Sequence, residues 1–140
     1  MSDPGTIARE YLEGWNRRDW ARWRELLHPQ YTYTGGDGQL QKGPEAALAV
    51  GQMFANAFPD GRIDVQQVHA VSENLAVAEF VARGTHQGDL MGIAPTGRQI
   101  TIPVCTIIEV RDCKIWAERE YMDMLHMMQQ LGVAPVPATA

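Results

Sequence analysis

The sequence contains no apolar run approaching the ~20 residues of a membrane-spanning helix. Its first residues, MSDPGTIARE, are polar and lack the pattern of a secretory leader. Cytoplasm is therefore the expected location, and no membrane is expected as a partner. Basic residues are few. The chain has 12 Lys and Arg against 17 Asp and Glu, a net charge of −5, and the cations are scattered. That argues against nucleic acid as a partner, because phosphate contacts need clustered basic side chains. The two cysteines, Cys105 and Cys113, cannot build a disulfide framework and are too few for a structural zinc centre. No metal site and no cofactor are expected. There is no G-x-S-x-G nucleophile pattern. The glycine-rich GGDG at 35–38 lacks the lysine and the strand–loop–helix setting of a phosphate loop.

What is present is a folded composition: 45% hydrophobic and 21% charged residues in 140. This length favours one domain and buries enough surface to need no staples. We place the domain at 1–132 and read 133–140, which contains APVPATA, as a flexible tail. Four Trp, four Tyr, three Phe and seven Met are many large, soft side chains for such a chain. Either they pack a core or they line a hollow for a flat apolar guest.

Periodicity predicts a helix over 4–17, with Ile7, Tyr11 and Trp15 on one face. A short second helix follows Asp19 as N-cap, ending at His28-Pro29. Residues 30–34 read as a strand in which Tyr31 and Tyr33 alternate with Thr. Pro44 opens a third helix with Ala47, Val50, Gly51, Phe54 and Phe58 on one stripe. The period then changes to two. Strands are expected at 63–71 and 75–87, turning at Glu73-Asn74, and at 98–110 and 114–121, turning at Asp112-Cys113. A last helix at 122–131 ends at Gly132. Helices followed by a long antiparallel sheet predict an α+β fold, a curved sheet with N-terminal helices enclosing a cone-shaped pocket.

Register singles out a face. With Asp112-Cys113 as a two-residue turn, Cys105 falls opposite Glu120, Ile107 opposite Glu118 and Glu109 opposite Trp116. The other face carries Ile108, Val110, Ile115 and Ala117. A sheet-to-sheet contact in a homodimer or higher oligomer could cover those apolar residues, leaving Glu118 and Glu120 to the hollow. The alternative is that both glutamates are solvated. A carboxylate in an apolar cavity would have a raised pKa and suit acid/base work. The same exercise on the first hairpin sets His69 opposite Ala78, Gln67 opposite Phe80 and Val65 opposite Ala82. Ala76, Ala78, Phe80 and Ala82 then face inward, with His86 following as a candidate pocket histidine.

The stretches RGTHQGDLMGIAPTGRQI at 83–100, CKIWAEREYMDML at 113–125 and QQLG at 129–132 resemble the SnoaL-like polyketide cyclases of the nuclear-transport-factor-2-like superfamily. The helical start EYLEGWNRRDWARWRELLHPQYTY and FPD at 58–60 fit the same pattern. The resemblance implies an α+β cone and a cofactor-free intramolecular aldol closure of an aromatic polyketide. Glu120 stands where the family carries its acid/base carboxylate, usually Asp, and Arg119 where it usually carries Trp. The family's histidine on the facing strand would fall, by this register, at Cys105. Glu120 and His86 are thus the catalytic candidates. Trp15, Tyr33, Phe54, Phe58, Phe80, Cys105, Trp116 and Glu118 are the candidate walls for a small hydrophobic substrate. Two other functions compete. One is hydroxylation of a quinoid polyketide with electrons from a separate reductase, and the other is non-enzymatic small-molecule binding.

Overall fold

The computed structural model describes residues 3–136; residues 137–140 of the expected tail lie outside them. Helix α1 (Pro4–Arg17) begins where the Asp3 carboxylate accepts from Thr6 N at 3.0 Å, and it ends at Arg18 in a left-handed conformation. Its apolar stripe, Ile7, Tyr11 and Trp15, is buried. Helix α2 (Trp20–Arg24) is capped by Asp19. Strand β1 (Leu27–Thr34) starts earlier than the sequence pattern indicated, so Leu27, His28 and Pro29 belong to the strand. A three-residue strand β2 (Leu40–Lys42) precedes helix α3 (Pro44–Ala57). Strands β3 (Arg62–Ser72), β4 (Leu75–Thr85), β5 (Gln99–Arg111) and β6 (Lys114–Met122) follow, then helix α4 (Met124–Gln130).

The strands form a six-stranded sheet in the order β2-β1-β6-β5-β4-β3. β1 runs parallel to β6 and the other neighbours pair antiparallel, so the sheet is mixed. Helices α1 and α3 cover one face, which is the inner one. No helix among the described residues is long and apolar enough to cross a membrane.

Both hairpins turn where expected, but bulges displace their registers. In β5–β6, Arg111 pairs with Lys114 and Val110 with Ile115. Glu109 then pairs with Ala117, so Trp116 is the extra residue of a bulge. Beyond it every partner moves by one: Ile108 faces Glu118, Thr106 faces Glu120 and Cys105 faces Tyr121. The expected pairing of Cys105 with Glu120 is thereby corrected. The bulge re-phases the alternation, bringing Glu118 and Glu120 to the same side as Ile115, Ile108 and Val110. Ile108, Val110 and Ile115 are buried within the single chain. That face is therefore not available to a second copy. In β3–β4 two further shifts set Val68 opposite Ala78 and Val65 opposite Phe80. Ala76, Ala78 and Phe80 face inward as their small and apolar character requires.

Candidate active site

Strand β6 supplies two carboxylates to the inner face, Glu118 and Glu120, which the strand's two-residue period keeps on one side. They face β1 on one flank and β5 on the other, and α1 crosses above them. The environments of the two differ sharply.

Glu118 is 2% exposed. Its Oε1 accepts from Tyr11 Oη at 2.7 Å and from Tyr31 Oη at 2.9 Å, and its Oε2 accepts from Thr106 Oγ1 at 2.8 Å. These hydroxyls come from α1, β1 and β5, so three elements converge on one carboxylate. Burial pushes the Glu118 carboxyl upward in pKa, and the three donors oppose that by stabilising the anion. Tyr11 and Tyr31 are held well above the usual phenol range, first by burial and then by the Glu118 charge. Both therefore remain neutral donors.

Glu120 is half-buried along the cavity wall and has one side-chain partner, Tyr33 Oη at 3.2 Å. Burial and the adjacent Glu118 push its pKa up to about 8, against the single opposing hydrogen bond. Burial and the Glu120 charge push Tyr33 upward as well, so it too stays a neutral phenol. Among the described residues, no Lys, Arg or His forms an ion pair with either glutamate.

Both carboxylates look into one cavity whose other walls are almost wholly apolar. Trp15, Tyr33, Phe54, Phe58 and Phe80 line it, as does Trp23, which stacks on Tyr11 at 4.8 Å between ring centroids. Trp15 is fixed by donating from Nε1 to Gly51 O at 3.1 Å. Arg62 and Arg83 stand at the cavity edge, both bound to Asp64.

Three candidates from the sequence do not line this cavity. Trp116 is displaced by its own bulge and lies under the Arg111 guanidinium, 3.8 Å from the ring centroid. Cys105 sits on the outer face beside Glu79 and Tyr121, since β5 turns only its even-numbered residues inward. The inner residue facing Glu120 is Thr106. His86 is fully buried, but β4 has ended at Thr85 and the chain has entered the 86–97 loop. There Nδ1 accepts from Thr96 N at 3.2 Å, the ring packs on Phe58, and Nε2 has no hydrogen-bond partner among the described residues. His86 braces the loop rather than the cavity.

The residues that sequence reasoning missed are Tyr11, Tyr31 and Thr106. A signal existed: Tyr31 and Tyr33 lie two apart on a strand, and Tyr11 lies on the buried stripe of α1. Nothing local indicated that all would point at one carboxylate. Among the described residues, no group of three or more His, Cys, Asp or Glu side chains comes together as a set of metal ligands.

The profile of the SnoaL-like polyketide cyclases matches residues 5–131. The chain belongs to that family. Among its relatives is the aklanonic acid methyl ester cyclase AcmA of Streptomyces galilaeus, 26% identical over 99% of this chain and 96% of that protein. DnrD of Streptomyces peucetius, a cyclase for the same ester, is 27% identical over 94% of this chain and 92% of that protein. The crystal structure of wild-type IdmH from Streptomyces antibioticus, a proposed polyketide cyclase, superposes with a TM-score of 0.81. It is 30% identical and covers 94% of this chain and 100% of its own. The family's α+β cone is the fold described above.

Proposed function

We propose that this protein closes a ring of an aromatic polyketide by intramolecular aldol addition, with Glu120 as the acid/base and no cofactor. The observation that carries the proposal is a carboxyl group of raised pKa in an aromatic-walled cavity with a phenol beside it. Raised basicity matters because an α-proton next to a carbonyl is a weak acid. A base poised near the working pH removes it better than an ordinary carboxylate.

The ionised Glu120 takes the α-proton, and the carbon–hydrogen electron pair becomes an enolate. That enolate attacks an internal carbonyl carbon and forms the new carbon–carbon bond. The resulting alkoxide recovers the proton from Glu120, so the product is an isomer of the substrate. Tyr33, a neutral phenol within hydrogen-bond distance of Glu120, is placed to donate to an oxygen on which charge develops. The apolar walls hold the flat rings and exclude water from the enolate.

Aklanonic acid methyl ester, on which the curated relatives act, is the first substrate to offer. Conversion to an isomer of unchanged mass, without oxygen uptake, is the expected result. Glu120→Gln should lower turnover by about 10²–10⁴-fold while leaving the fold intact. A folded Glu120→Gln variant with full turnover would rule out the assignment. A product heavier by one oxygen atom would instead favour reductase-dependent hydroxylation.

A further inference from the structure

Among the described residues, Glu118 is the one buried carboxylate that the proposed reaction does not itself use. It lies below Glu120, two residues away on the same strand face. All its hydrogen bonds come from hydroxyls that donate: Tyr11, Tyr31 and Thr106. Thr106 also lies 3.4 Å from Arg119 O, a longer and weaker alternative for its single proton. A carboxyl group that accepts three bonds and donates none is arranged as an anion. Glu120, with one donor, is the less stabilised of the two. Two carboxylates on one apolar wall, with no cation to neutralise them, do not both ionise readily. The site that keeps the charge is the one with more donors.

We propose that Glu118 is a fixed anion whose task is to hold the proton on Glu120, so that the two carboxylates share one proton and Glu120 is the member that exchanges it. Glu118 is then a positioning residue: it acts on the reaction through the acid/base group. The assignment rests on the reading of Glu120 as that group, but its test does not require turnover. It also explains why three elements each commit a hydroxyl to Glu118. The other charged or titratable groups near the pair are Tyr11 on α1, Tyr31 and Tyr33 on β1, and Asp37, whose charge bears on Tyr33 from the β1–β2 turn. These are neutral phenols or negative, and the two cations at the cavity edge, Arg62 and Arg83, are bound to Asp64, so none pairs with either carboxyl. Arg119 of β6 turns outward to Glu109.

The experiment is carbon-13 NMR titration of protein labelled at the glutamate side-chain carboxyl carbons, with the Glu120 signal assigned by its loss in Glu120→Gln. The native protein should show one Glu carboxyl titrating near pH 8. Glu118→Gln keeps the shape and the acceptor oxygen but removes the charge. The Glu120 midpoint should then fall by at least one pH unit. Thr106→Val, which removes one donor from the Glu118 anion, should move it the same way by less, and it decides the matter if Glu118→Gln does not fold. A midpoint that stays in place or rises in the folded variant would overturn the proposal. Loss of turnover in Glu120→Gln with an unmoved midpoint in Glu118→Gln would leave the catalytic reading standing and remove this one. Full turnover in Glu120→Gln would remove the catalytic reading, whatever the titration gave.

Discussion

At the scale of the residue, Glu120 makes a stability prediction that needs no substrate. Its pKa rises from an ordinary 4.5 to about 8 on folding. The folded state therefore holds a proton that the unfolded state has already released between those pH values. Stability associated with this group is fully present below about pH 4.5. It is lost as pH rises toward 8, since the folded state binds more protons throughout that window. The size is on the order of 4 kcal/mol across the window. Glu120→Gln carries no such titration. Its melting temperature should exceed that of the native protein by roughly 10–15 °C at pH 8.5, and the two should converge near pH 4.5. Parallel melting curves across that range would show that Glu120 is not buried as described. Tyr33→Phe removes the one donor that opposes the shift. It should raise the Glu120 midpoint further and slow turnover below pH 8.

At the scale of the element, the β5–β6 hairpin decides where both glutamates point. Its turn was legible. Asp112 and Cys113 both adopt positive φ, 52° and 60°, which is the backbone of a type I′ two-residue turn. The Asp112 carboxylate reaches His28 Nε2 at 3.3 Å, so Asp112 has a reason to remain. Cys113 is exposed and has no such contact, and a side chain in this region is strained. Cys113→Gly should stabilise the protein by about 0.5–1 kcal/mol in urea unfolding, leaving ligand binding unchanged. A loss of stability would mean that the Cys113 side chain makes a contact the turn depends on. The bulge at Trp116 was not legible, because the residues around it alternate acceptably in either phase. Only the pairing shows it: Ile115 opposite Val110 and Glu118 opposite Ile108 lie on the inner side, so Trp116 and Ala117, both set against Glu109, turn outward together. One slipped residue exchanged the faces, moving Cys105 and Trp116 outward and Thr106 inward. Strand β2 escaped for a different reason: three residues with Leu40 exposed carry no period to read. The parallel pairing of β1 with β6 joins residues 85 to 88 positions apart and leaves no local mark.

At the scale of the whole molecule, helix stripes and strand alternation both point away from water, but they do not separate core from cavity: Trp116 lies outside the cavity and Trp23 lines it. Trp15, Phe54, Phe58 and Phe80 come from α1, from α3 and its end, and from β4, and they meet around one cavity. Their convergence on the two carboxyl groups is a property of the folded cone and of no single segment. A hollow kept open costs stability, since the side chains around it lack contacts on one side. The cost is tolerated when a guest fills the space, so partial filling should separate stability from binding. Ala82 of β4 lines the cavity between Ile63 and Ile102, its neighbours in the sheet. Ala82→Leu places three more carbons into that hollow, worth up to about 2 kcal/mol of apolar burial if no neighbour is displaced. Its melting temperature should hold or rise. Trp15 and Trp23 both line the cavity, so quenching of their fluorescence by a planar hydroxyanthraquinone reports occupancy. The native protein should bind such a probe, and Ala82→Leu should bind it at least tenfold more weakly. Equal affinity in a variant of unchanged stability would mean that the flat guest sits elsewhere, and the catalytic reading of Glu120 would lose its substrate site.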